Sequence, residues 1–162
     1  MYGIDIMYTL CYNGGEKEMI DMLTTNATEV RNNWSQVVDS VIRDKPAFVK
    51  RTRDCIVLTN EDLFKDMLSV YKFSAIKYIE DDGSITLSLN ELDLVENALT
   101  EQDALELLAQ SILDYAIDFY SDFSYWSAAP NRKAHIPYVL RALMLDDVHR
   151  IGECILCQSG TN

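Results

Sequence analysis

The spacing of apolar residues changes abruptly at Pro46. Upstream of it, Val30, Trp34, Val37, Val38, Val41 and Ile42 recur at helical intervals and form one stripe of an amphipathic helix. Asn26-Ala-Thr-Glu29 has the shape of a capping box at the start of that stripe. The pattern predicts a single helix running to about Lys45, where Pro46 stops it. Downstream, Ala47–Arg51 and Cys55–Leu58 are short apolar runs around a polar turn, Thr52-Arg53-Asp54, and predict two strands. Thr59-Asn-Glu-Asp62 then opens a second helix through Leu63, Phe64, Met67 and Leu68. A helical stripe followed at once by a strand pair and another capped helix predicts an α+β unit.

A second pattern starts near Tyr71. Phe73–Ile79 reads as a strand, Asp81-Asp82-Gly83 as a hairpin turn, and Ser84–Leu89 alternates like a half-buried strand. Leu92, Leu94 and Val95 suit a third strand. Thr100-Glu-Gln-Asp103 caps a long helix with Ala104, Leu105, Leu108, Ile112, Tyr115, Ala116 and Phe119 on its apolar side. A loop at Ser127–Lys133, a helix from His135 to Leu145 with Pro137 in its first turn, and a closing strand from Ile151 to Cys157 complete the chain. The expected organisation is a leader over 1–21, an α+β unit over 22–70 and a ββ(β)α unit with a helix-strand tail over 71–162.

Charge divides along the same line. The chain carries a net charge of -12. Residues 22–65 hold seven Lys/Arg against six Asp/Glu, whereas residues 74–123 hold one basic residue, Lys77, against twelve acidic ones. Two units with different partners explain this asymmetry, and so does one domain with an acidic solvated face. Cys11, Cys55, Cys154 and Cys157 do not have the spacing of a disulfide-stapled secreted fold, so a reducing cytoplasm is expected. The Cys154-x-x-Cys157 pair is half a zinc site at most and reads as strand packing. No apolar run reaches the roughly 20 residues of a membrane helix. His135 and His149 stand with no nucleophile in a recognisable pattern, so no catalysis, metal or cofactor is expected.

Residues 1–21 keep no sustained period. Codons for Ile4-Asp5-Ile6 and Tyr12-Asn13 can spell the two boxes of a bacterial promoter at their usual spacing. Those for Gly14–Glu18 can spell a ribosome-binding sequence ahead of Met19 and Met22. A translated promoter is therefore the expected reading of this leader. A start at Met1 in the native protein, read by mass spectrometry, contradicts it.

Thr25-Asn-Ala-Thr-Glu-Val-Arg31 with Asn33-Trp-Ser35, then Val49-Lys50-Arg51, then Leu58-Thr59-Asn60-Glu61-Asp62, resembles the ordered motifs of Phd/YefM-family antitoxins over about 45 residues. The hairpin turn departs from that family, which often has Asn-Gly there. Tyr78–Leu89 followed by Thr100-Glu-Gln-Asp-Ala-Leu-Glu106 is similar to HicB-type antitoxin domains, without their usual connection. The resemblance implies a β-α-β-β-α DNA-binding unit followed by a HicB-like unit. It also implies a homodimer on palindromic operator DNA, autorepression and neutralisation of a cognate toxin.

It places DNA contacts at Arg31 and Arg51. Lys50, Arg53 and Asn32 are further candidates, because cations meet phosphates and amides read base edges. Val30, Trp34, Val37 and Val41 would form the dimer core. Glu80, Asp81, Asp82, Glu91 and Asp93 would cover a basic toxin, such as an RNase. The Phe119, Tyr120, Phe123, Tyr125 and Trp126 cluster reads as core or a toxin-docking surface. An acidic DNA mimic that inhibits a nuclease, and a stand-alone transcription regulator, are the alternative functions.

Overall fold

The computed structural model describes residues 23–160, and the leader reading for 1–21 falls outside them. The fold is mixed α+β, with two sheets and two compact units divided between Phe64 and Lys65.

The first unit begins with strand β1 (Thr24–Asn26) and helices α1 (Ala27–Asn32) and α2 (Trp34–Arg43). Strands β2 (Ala47–Arg51) and β3 (Asp54–Leu58) follow, then helix α3 (Glu61–Leu68), which carries the chain across the division. β1 runs parallel to β2, and β2 is antiparallel to β3. Asn26 caps α1 by accepting from the Thr28 amide at 2.8 Å, as the sequence suggested.

The single predicted helix is in fact two. The break falls at Asn33, whose amide N–H donates to the Glu29 carbonyl as a cap for α1 while its own carbonyl accepts from Val37. The apolar stripe crosses this break without a change of period, so periodicity alone cannot reveal it. The stripe also faces two ways. Val30 and Val41 are buried with Val49 inside the unit, whereas Trp34 is 55% exposed.

The β2–β3 hairpin closes through two residues, Thr52 and Arg53, because Arg51 pairs with Asp54. Thr52 sits at φ +57°. A β-branched side chain there crowds its own backbone. Thr52→Gly is expected to stabilise the first unit by about 0.5–1 kcal/mol, glycine's greater entropy loss offsetting part of the relief. Denaturant unfolding followed by Trp34 fluorescence checks this; a lower midpoint contradicts it.

In the second unit, β4 (Phe73–Ile79), β5 (Ile85–Leu89), β6 (Leu94–Ala98) and β7 (Ile155–Ser159) form a sheet in the order β6-β5-β4-β7. Helices α4 (Glu101–Ser121), α5 (Phe123–Ala128), α6 (Ile136–Leu145) and α7 (Val148–Glu153) complete the unit. The sheet's alternate residues Phe73, Ala75, Leu87 and Leu89 join Leu108, Ile112, Ala116 and Phe119 of α4 in one buried core. Thr100 caps α4 by accepting from the Asp103 amide.

The predicted closing strand is corrected at its start. Ile151 is buried on helix α7, and the strand begins only at Ile155. Asp146, at φ +49°, ends α6, and Asp147 caps α7 by accepting from the Arg150 amide. A two-residue corner of consecutive aspartates therefore turns one helix into the next. Cys154 ends α7 and Cys157 lies exposed on β7. Among the described residues no group of three or more His, Cys, Asp or Glu could hold a metal, and no helix is long and apolar enough to cross a membrane.

Candidate functional site: a cationic cleft beside the first hairpin

The register of the first sheet dictates where the cations go. Asn26, the last residue of β1, lies beside Lys50, and Thr25 beside Val49. The chain leaves β1 directly into α1, so the first turn of α1 stands next to the end of β2. Arg31, one turn further on, reaches the same place. The result is an open cleft lined by Asn26, Ala27, Thr28, Arg31, Lys50, Arg51 and Thr52. Residues some 20 apart in sequence thus present three cations to one hollow. Among the described residues, neither Arg31 nor Arg51 forms an ion pair, with Glu29, Asp54 or any other carboxylate. Asn32 and Arg53 are exposed nearby in sequence but do not line the cleft.

The acidic candidates are spread over the second unit. Glu80, Asp81 and Asp82 sit at the β4–β5 turn, and Glu91 and Asp93 at the β5–β6 turn, which is the opposite end of β5. A five-residue strand separates the two groups by roughly 17 Å. Asp82 organises its own turn by accepting from the Ser84 amide at 3.0 Å and hydroxyl at 2.7 Å. Those bonds hold its carboxyl below the usual carboxylate range. Glu80 accepts from the Thr86 hydroxyl, and Asn97 bridges Ser84 and Thr86. Glu91 has one carboxylate oxygen buried without a hydrogen-bond partner among the described residues. It stands near Tyr138, whose hydroxyl is pushed up first by burial and then by the Glu91 charge.

Asp93 takes part in a structural network that the sequence did not disclose. Its carboxylate accepts from Arg132 at 3.1 Å and lies 3.8 Å from His135 Nε2. His135 is buried, and its Nδ1 is 2.9 Å from the Tyr115 hydroxyl. The carboxylate favours the tautomer with its proton on Nε2, which leaves Nδ1 to accept from Tyr115.

Burial pushes the His135 pKa down, the Arg132 cation adds to this, and Asp93 opposes it. The unfolded chain therefore binds the proton first as pH falls through about 6.5, and stability drops from there downward. The melting temperature is expected to fall more steeply between about pH 7 and pH 5.5 in the native sequence than in His135→Gln. Parallel slopes in the two proteins contradict this.

Of the aromatic cluster, Phe119 is fully buried and stacks on Trp126 at 5.9 Å, while Tyr120 and Tyr125 are exposed. The cluster is thus part core and part surface.

A family model described as "PHD_like: Antitoxin of toxin-antitoxin, RelE / RelB, TA system" matches residues 21–157. The chain belongs to this antitoxin family. The antitoxin is also similar to a solved protein from Syntrophomonas wolfei subsp. wolfei, described as the antitoxin part of a candidate toxin/antitoxin system. The two share 39% identity at a TM-score of 0.80, over 85% of this chain and 99% of that one. A 98-residue stretch of the antitoxin, 60% of the chain, is 31% identical to Mediator of RNA polymerase II transcription subunit 13 of Schizosaccharomyces pombe. The chain spans only 8% of that much longer protein.

Proposed function

We propose that this antitoxin binds operator DNA through a Phd/YefM-like first unit, represses its own operon as a homodimer, and neutralises its toxin by direct contact through an acidic, HicB-like second unit in the cytoplasm. The observation that carries the DNA reading is the convergence of Arg31, Lys50 and Arg51 on one open cleft. Arg31 and Arg51 are the principal contacts, and Lys50, Arg53 and Asn32 add to them. A guanidinium can fork onto guanine or phosphate, and exposed cations near one groove position the protein on the duplex.

The economy of the first unit supports the dimer. Its buried apolar side chains among the described residues are Val30, Val41 and Val49, while Trp34, Ile42, Phe48, Ile56 and Val57 are exposed. A unit this small with so little interior commonly needs a partner to cover its apolar surface. Trp34 is the member of the expected dimer stripe that faces outward. Val30 and Val41 would support the interface from within, beside half-buried Val37.

The toxin is expected to be basic. Glu80, Asp81, Asp82, Glu91 and Asp93 contribute to the field that draws it in. Helix α4 adds to the acidic charge of this unit: it carries no Lys, Arg or His, and exposed Leu107, Ile117 and Tyr120 stand among Glu106, Asp114 and Asp118 along it. Apolar anchors ringed by acids suit a cationic protein with an apolar depression.

The test is a mobility shift on DNA upstream of the antitoxin's own gene. Two copies of the cleft present about six cations, so the logarithm of affinity should fall with the logarithm of salt at a slope of about -5. No shift at modest salt, or a shift insensitive to salt, contradicts the reading.

A further inference from the structure

The second unit contains a buried cation that no carboxylate among the described residues pairs with. Arg141 lies in the middle of α6 and is only 8% exposed. Its Nη1 donates to the Leu68 carbonyl at 2.9 Å, its Nη2 contacts the Cys154 sulfur at 3.7 Å, and its face lies 5.9 Å from the Phe73 ring centroid. Among the described residues its buried Nε has no hydrogen-bond partner, and the guanidinium pairs with no Asp or Glu. A buried guanidinium without a counter-charge is costly.

Arg141 lines a hollow of about 200 Å³ together with Lys65, Leu68, Ser69, Met144, Leu145 and Arg150. All seven residues belong to the second unit. In a chain of net charge -12, this hollow has three cations in its wall and no acid. Leu68, Met144 and Leu145 supply an apolar wall, which lowers the local dielectric and strengthens any charge pairing made there.

We propose that this hollow is an oxyanion-binding site, with Arg141 and Arg150 as its principal ligands and the Ser69 hydroxyl as an added donor. Its ligand is a compact carboxylate or phosphate group. The volume is below the usual range for cofactor and drug-sized pockets, so a whole nucleotide does not fit. A planar guanidinium fork matches either oxyanion, and the anion supplies the counter-charge that Arg141 lacks. The site is separate from the cleft assigned to DNA, and its failure would leave that reading untouched.

Methionine methyl NMR on the full chain tests it locally, because Met144 lines the hollow. The Met144 signal is assigned by its loss in Met144→Leu. Sodium phosphate is titrated against sodium chloride at equal ionic strength, followed by sodium acetate. The Met144 methyl should shift and saturate with phosphate at about millimolar concentration. Arg150→Gln should weaken the midpoint at least about fivefold, and Lys133→Gln, an exposed cation outside the hollow, should leave it unchanged. Arg141→Gln also removes the bond to Leu68, so Arg150→Gln is the decisive variant.

A response to both anions assigns a general oxyanion site that accepts side-chain carboxylates, and a response to phosphate alone assigns a phosphate site. A Met144 signal unmoved by either anion overturns the proposal. So does one that moves equally in Arg150→Gln.

Discussion

Alanine at both Arg31 and Arg51 is expected to abolish the operator shift given by the native antitoxin. A well-formed arginine contact to a base is worth about 1–3 kcal/mol, and a symmetric dimer loses each contact twice. One substitution should therefore weaken binding by roughly 30-fold or more, and the pair should remove it at any practical concentration. Neither side chain is buried or ion-paired to a carboxylate among the described residues, so folding stability should move by no more than about 0.5 kcal/mol. Arg51→Lys separates charge from geometry. It keeps the cation but loses the fork, so it should retain weak, salt-sensitive binding with reduced preference for the operator. Arg53→Ala should cost less than Arg51→Ala, because Arg53 lies outside the cleft lining. Circular dichroism alongside the shift assay separates lost contact from lost fold.

Phe119→Ala should produce the largest loss of stability. Phe119 is fully buried in the last turn of α4, with ring contacts to Tyr115, Phe123 and Trp126 between 5.8 and 6.0 Å. Truncating such a ring leaves a cavity and costs about 3–5 kcal/mol. That is a large part of the 5–15 kcal/mol by which a typical domain is stable. The chain's two tryptophans fall one in each unit, Trp34 in the first and Trp126 in the second. In a Trp34→Phe background, Trp126 fluorescence reports the second unit, and the reverse background reports the first. Phe119→Ala should lower the Trp126 midpoint strongly and the Trp34 midpoint little, with the operator shift retained. Equal losses at both reporters would mean that the two units unfold as one.

The elements that the sequence disclosed are those whose signal is local. Ser84–Leu89 alternates, Gly83 takes φ +83° at its turn, and Asn26 and Thr100 cap the helices they precede. Elements decided by packing or by a single hydrogen bond were harder to read. The break at Asn33 leaves the apolar period intact. Helix α7 buries one residue, Ile151, so its few residues look like the start of a strand; Asp147 as a cap was the available signal.

The candidate site divides in the same way. Arg31 and Arg51 were found through an ordered set of motifs, but that they share a cleft depends on the pairing of β1 with β2, which a sequence does not state. Asp93 read as a free surface acid, whereas it binds Arg132 across 39 residues. Arg141 is not among the residues expected to be functional from the sequence. The signal was there: a lone arginine within Val139-Leu-Arg-Ala-Leu-Met-Leu145 has no polar face to occupy.

Neutralisation is the most direct test of the account. The gene adjacent to the antitoxin's own is expressed under an inducible promoter, with and without the antitoxin, and growth is followed. The account predicts arrest by that gene alone, relief when the intact antitoxin is co-expressed, and relief retained in Arg31→Ala/Arg51→Ala, because DNA contact and toxin contact lie in different units. It also predicts that relief is lost in Phe119→Ala, where the second unit is destabilised. Arrest that the intact antitoxin cannot relieve would contradict the account, as would relief that survives destabilisation of the second unit.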